Sequence, residues 1–319
     1  MLRRKFVACL AGVAAWPLAV HAQQPNKLRR IGVLELIDDP MIRSVILPEL
    51  AQRGFVDGRN LIVDVRIGKS DEMPKLAREL VAANPEVIIA ASDWALHAAL
   101  DASKLIPIAA SPMGADPVVA GVAVSWARPG GNVTGVSLIA TELEAKRLDL
   151  LRKAVPGIRR VATLSTHREV VERGMATIRA GSVKAGIELA EFWVDEPQEY
   201  SAAFAAMRSA RVDALLIMPT PEMYRDVEQV SALALESRLP TICGFSEEKG
   251  CLISYGPNFT ELRQQTAEQV AKILQGANAS ELPFQGPTRF EFAINLKTAH
   301  RLGLTLPPDL LLSADKVIE

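Results

Sequence analysis

The stretch Val87-Ile88-Ile89-Ala90-Ala91-Ser92-Asp93-Trp94 decides the fold class. Its five apolar residues run without the alternation of a half-exposed strand, and so read as a strand buried on both faces. Ser92 and Asp93 stop that strand and cap a helix beginning at Trp94. A buried strand passing straight into a capped helix is the repeating step of an open α/β sheet.

The same step recurs on either side. Upstream, Arg30–Leu36 reads as a strand followed by the acidic helix start Asp38-Asp39-Pro40, whose helix closes at Gly54. Leu61–Arg66 reads as a second strand before a helix from Pro74 with Leu76, Ala77, Leu80 and Val81 on one face. Downstream, Ile106–Ala110 is a fourth strand, after which Arg128–Gly135 interrupts the rhythm with dense turn chemistry. The alternation resumes with a helix over Glu142–Ala154 and strands over Arg160–Leu164, Glu188–Val194, Ala214–Met218 and Thr241–Cys243. The pattern therefore predicts two doubly wound parallel sheets, with right-handed crossovers and helices on both faces.

The last third is less regular. Strands over Cys251–Tyr255 and Phe290–Ile294 enclose a helix, Thr260–Leu274, whose apolar side carries Leu262, Thr266, Val270, Ile273 and Leu274. This pattern permits the helix to return to the first domain and the tail to cross back to the second.

The 319 residues suit two domains, and 49% hydrophobic with 23% charged excludes a disordered chain. A net charge of −1 gives no electrostatic case for nucleic acid or an anionic membrane. Residues 1–22 read as an export signal: Arg3-Arg4-Lys5, an apolar run from Phe6 to Val20, and small residues at Val20-His21-Ala22. Arg3-Arg4-Lys5-Phe6-Val7 also fits the twin-arginine pattern. The apolar run, broken by Gly12 and Pro17, is shorter than the roughly 20 residues of a membrane span. Cleavage leaves about 297 residues with a net charge of −4. It also removes Cys9, leaving Cys243 and Cys251 either as a disulfide or, preferably, as two reduced thiols.

Ligands of open α/β sheets bind beyond the carboxyl ends of the strands. In the first array those ends offer Ile37 and Asp38, then Ser92, Asp93 and Trp94, then Ser111 and Met113. In the second they offer Thr166 and His167, Thr220, Phe245 and Tyr255. Hydroxyls at helix starts suit a carboxylate or another small anion, and Trp94, Phe245 and Tyr255 can add a π-stacking wall. No glycine-rich dinucleotide motif, P-loop, nucleophile elbow or metal-ligand spacing is present, so neither an enzyme nor a cofactor is expected.

Several stretches together carry a family likeness. They are Ala15-Trp16-Pro17-Leu18-Ala19 with Ala22-Gln23-Gln24-Pro25, Gly54-Phe55-Val56-Asp57-Gly58-Arg59-Asn60, Ala115-Asp116-Pro117-Val118 and the run from Ala127 to Ser137. Further on are Glu144-Ala145-Lys146-Arg147-Leu148, Ser254-Tyr255-Gly256, and Thr288–Thr298 with Leu302-Gly303-Leu304. From signal to carboxyl terminus the chain resembles the substrate-binding proteins of bacterial ABC transporters. The likeness is to those with the type I periplasmic-binding fold, in the lineage of aromatic-amino-acid-type and uncharacterised binders.

The resemblance implies two lobes joined by a three-segment hinge, 23–136 with 257–285 and 137–256 with 286–319. A small organic solute, an amino acid or an aromatic or carboxylate compound, would be captured between them. It adds Ser137, at the first crossover, to the site. It also implies a monomeric periplasmic protein without cofactor or nucleic acid, whose partner is an inner-membrane permease with its ATPase, or alternatively a sensor kinase or chemoreceptor. The loop after Leu36 departs from the family by being shorter, with Asp38-Asp39 in place of hydroxyls. Two acids there would repel a carboxylate or hold an ammonium group.

Overall fold

A computed structural model of the protein describes residues 28–166, 168–245 and 250–319; the expected signal at 1–22 and His167 lie outside the described residues. The first sheet contains β1 (Arg29–Glu35), β2 (Leu61–Ile67), β3 (Val87–Ala90), β4 (Ile108–Met113) and β5 (Val133–Ser137). Its order is β2-β1-β3-β4-β5, with every pair parallel. Between the strands lie α1 (Leu47–Gln52), entered through a π-helical turn at Ile42–Ile46, then α2 (Met73–Ala82) and α3 (Asp93–Ala102). All four residues of β3 are buried, and the Ser92 hydroxyl caps α3 by accepting from the Ala95 amide at 3.1 Å.

The strand β5 falls where turn chemistry was expected, and Gly135 is the reason. Its φ is +139°, and a Cβ there would lie 2.4 Å from the backbone N and O of Ala110 on β4. Two strands pressed this closely require a glycine, which interrupts the β-branched run that would have announced the strand.

The second sheet follows α4 (Ala140–Ala154). It is built from β6 (Arg160–Ser165), α5 (Arg168–Ala185), β7 (Glu188–Trp193), α6 (Tyr200–Ser209), β8 (Ala214–Ile217), α7 (Pro221–Glu236) and β9 (Thr241–Cys243). Then come β10 (Ile253–Pro257), α8 (Phe259–Leu274), β11 (Phe290–Asn295), α9 (Leu296–Leu302), α10 (Pro308–Leu312) and β12 (Lys316–Ile318). The strand order is β12-β11-β10-β9-β8-β6-β7. One pair departs from the expected parallel arrangement: β10 and β11 are antiparallel, with Tyr255 opposite Phe292. The chain leaves β10 for α8 on the other sheet and returns at the same end, so β11 must run back down.

Helix α8 belongs to the first core, where Ala267, Val270, Ala271 and Leu274 pack with Ile31, Val33, Ile46 and Leu50. The chain thus passes between the sheets three times, from β5 to α4, from β10 to α8 and from α8 to β11. The third passage runs along the first: Gln285 N donates to the Gly135 carbonyl and Gln285 O accepts from Ser137 N, both at 2.9 Å. Cys243 and Cys251 are buried free thiols. Among the described residues no helix is long and apolar enough to cross a membrane.

Candidate functional site

The carboxyl ends of both sheets meet around one pocket of about 760 Å³, counted out to its open mouth. The first sheet supplies Glu35 at the end of β1, Ile37 and Asp39 beyond it, Ser92, Asp93 and Trp94 beyond β3, and Pro112 and Gly114 at β4. The second supplies Thr220 before α7, Tyr224 on α7 and Phe245 after β9, while α8 adds Phe259 and Arg263. Thr220 caps α7 as Ser92 caps α3, so two helix N-termini from opposite sheets border the same space.

Six of the expected residues are therefore together: Ile37, Ser92, Asp93, Trp94, Thr220 and Phe245. The rest stand apart for identifiable reasons. Thr166 is buried behind Thr220, hydroxyl to hydroxyl at 2.8 Å. Ser111 lies behind Arg263, whose Nη1 donates to its hydroxyl at 2.8 Å. Met113 packs in the core of the first sheet, and Ser137 turns its hydroxyl to the Ala115 carbonyl at 2.8 Å. Asp38 points outward and pairs with Arg43 at 2.7 Å. Tyr255 stacks on Phe290 with ring centroids 6.2 Å apart, a consequence of the antiparallel β10–β11 pairing that sequence did not announce.

Sequence reasoning missed Glu35, Tyr224, Phe259 and Arg263 as lining residues. Arg263 had a signal: it shares a buried stripe with Ala267, Val270 and Leu274, and a cation on such a stripe needs a reason. Of the two acids expected near the cleft, Asp39 lines the pocket and also caps the following turn, accepting from Met41 N at 2.9 Å through Oδ1. Its Oδ2 pairs with Arg263 Nη2, and both side chains are almost wholly buried.

The aromatic wall is assembled from three elements. Tyr224 stacks on Phe259 at 5.4 Å between centroids and meets Phe245 edge-on at 5.2 Å. Tyr224 also reaches the other side, its hydroxyl 3.6 Å from the sulfur of Met41. On the polar side, burial together with the neighbouring Asp39 and Asp38 pushes the Glu35 carboxyl up to about 7. Burial likewise raises Asp93, against the pull of the Gly114 amide, which donates to its Oδ2 at 2.9 Å. Arg263 Nε is buried without a hydrogen-bond partner. This arrangement can grip a flat ring while offering acids and the amides of two helix N-termini to its polar ends. Among the described residues no group of three or more His, Cys, Asp or Glu is placed to hold a metal ion.

Residues 30–318 match the family model described as ABC transporter substrate binding protein. The chain belongs to that family. A curated relative, the tyrosine-binding protein of Clostridioides difficile strain R20291, is 26% identical over 304 residues, 92% of this chain and 84% of that protein. A conserved domain protein from Vibrio cholerae superposes with a TM-score of 0.82 at 24% identity, over 91% of this chain and 100% of that one. An ABC domain from Streptococcus pneumonia in complex with L-Trp gives 0.80 at 23% identity, over 91% and 99% of the two chains. The fold is thus the two-lobed type I periplasmic-binding fold, and the family is one of substrate-binding proteins rather than enzymes.

Proposed function

We propose that this substrate-binding protein captures a small aromatic amino acid in the pocket between its lobes and delivers it to an inner-membrane importer. The observation that carries the reading is the wall of Tyr224, Phe245 and Phe259, contributed by three separate elements, in a pocket that Trp94 also lines. Rings stacked or edge-on in this way add about 0.5–1.5 kcal/mol per pair beyond the area they bury. The relatives named for tyrosine and solved with L-Trp bind solutes of that shape. The export signal at 1–22 supports a periplasmic location, with the twin-arginine route favoured by Arg3-Arg4.

Capture works by closure. One body comprises 23–136 with 257–285, the other 137–256 with 286–319, and the protein acts as a monomer. Opening at the three crossings would carry Thr220, Tyr224 and Phe245 away from Ser92, Asp93 and Phe259, so affinity depends on both halves of the wall meeting.

A thermal-shift series with L-tyrosine, L-tryptophan and L-phenylalanine tests the reading. A hundredfold excess over Kd adds about 2.7 kcal/mol of stability. The cognate solute should therefore raise the melting temperature by several degrees, and Phe259→Ala should remove most of that rise. A rise produced only by non-aromatic solutes would overturn the aromatic assignment.

A further inference from the structure

The pocket carries more acid than its own cation answers. Among its lining residues the acids are Glu35, Asp39 and Asp93, and the one cation is Arg263. Arg263 is already engaged, by the Asp39 carboxylate through Nη2 and by Ser111 through Nη1. Asp39 is satisfied on both oxygens, by Arg263 and by the Met41 amide. Asp93 receives the Gly114 amide. Glu35 is different: it is 2% exposed, it lines the pocket, and its carboxylate receives a long hydrogen bond of 3.4 Å from the Asp39 amide. A buried carboxylate held so weakly must either keep a proton or find a cation.

Other charged groups around Glu35 do not supply that cation. On its own loop are Asp38 and Asp39, and Arg43, one turn on, is turned outward to Asp38. Beyond β2, Lys69 is drawn to Glu196. From α8 comes Arg263, committed to Asp39. From the start of α3 comes Asp93, another acid. The vacant partner is therefore one that the solute itself can bring.

We infer that Glu35 is the amine-selecting residue of the pocket, its carboxylate pairing with a protonated amine of the bound solute. The inference rests on the aromatic amino acid reading and specifies which part of the solute the first lobe recognises. The ligand's carboxylate is then left to the N-termini of α3 and α7. Binding proceeds as the neutral carboxyl plus the ammonium ion giving a carboxylate–ammonium pair and one released proton. A solute with the same ring and carboxylate but no amine leaves Glu35 unanswered.

The sign of the pH dependence separates this from the converse, in which a protonated Glu35 donates to a ligand carboxylate. With the carboxyl titrating at about 7, the competent ionised form rises about tenfold between pH 6 and pH 8. The affinity for an ammonium should rise by about the same factor. Isothermal titration of the wild type and Glu35→Gln with L-tyrosine and with 3-(4-hydroxyphenyl)propionate, at pH 6 and pH 8, is the test, run in parallel with L-tryptophan and indole-3-propionate. The expected result is amino acid binding that tightens about tenfold at the higher pH, with the deaminated acid at least tenfold weaker. In Glu35→Gln the amino acid loses that advantage and its pH dependence, while the melting temperature shows the variant folded. Equal binding of the deaminated acid to the wild type, or tightening towards low pH, overturns the inference and leaves the aromatic reading standing. If neither member of either pair binds, both readings fall.

Discussion

Arg263 and Glu35 show how single side chains divide the work of the site. Arg263 is spent inside the protein, tying α8 to Asp39 on the β1 loop and to Ser111 on β4, so it holds the wall residue Phe259 in register rather than standing free for a solute. Glu35 is left with the imbalance, and that has a consequence for stability. Its carboxyl is raised from 4.5 to about 7, so the folded protein binds a proton that the unfolded chain has released. The stabilisation this represents is complete below pH 4.5 and is lost as pH rises through about 7. Glu35→Gln removes the titration: the variant should unfold within about 1 kcal/mol of the wild type at pH 5 and be more stable by about 1–3 kcal/mol at pH 8. Urea unfolding of the ligand-free proteins at the two pH values measures this, and a variant less stable at pH 8 would show that Glu35 is paired within the protein.

At the level of elements, the strands and helices that follow hydrophobic period were legible in the sequence, and those set by a backbone contact were not. β3 with its Ser92 cap, and the apolar side of α8, could be read because burial dictates their residues one by one. β5 could not, since Gly135 is there for the backbone of Ala110. Nor could the position of Tyr255, which depends on a strand partner 37 residues away. For the same reason six expected site residues converge while the wall residues of α7 and α8 went unseen: strand ends can be listed from sequence, but which helix face turns to the cleft depends on packing.

A second backbone contact lies where β9 and β10 end. A Cβ on Gly256 would stand 2.2 Å from the Gly244 carbonyl, and Arg147 of α4 binds both strand ends, donating from Nε to the Tyr255 carbonyl at 2.8 Å and from Nη2 to that of Gly244 at 3.4 Å. Arg147 is itself paired with Glu144, both 1% exposed. Arg147→Met should thus cost about 3–5 kcal/mol, since it strands a buried acid as well as two carbonyls. Adding Glu144→Leu should restore most of the loss, leaving a deficit from the unanswered carbonyls. Denaturant midpoints of the two variants measure this, and a double variant no better than the single would place the cost in the strand ends alone.

For the whole molecule the question is what holds the lobes together when the pocket is shut. Two contacts across the cleft differ in kind. At the rim, Lys69 beyond β2 pairs with Glu196 beyond β7, and their side chains are 71% and 39% exposed. Inside, Tyr224 of α7 stacks on Phe259 of α8 and reaches Met41. Exposed ion pairs contribute little and are screened by salt, whereas desolvated aromatic contacts act independently of it. The rim pair should therefore guide closure without determining it. Lys69→Met is expected to weaken solute binding by less than about fivefold, and the wild type in 0.5 M salt should behave like the variant in low salt. Tyr224→Ala should weaken binding by more than tenfold with little salt dependence, because it removes ring contact from both lobes at once. Small-angle scattering adds a second readout: saturating solute should contract wild type and Lys69→Met alike, while Tyr224→Ala remains expanded. Loss of contraction in Lys69→Met would make the rim pair, and not the aromatic wall, the element that closes the protein.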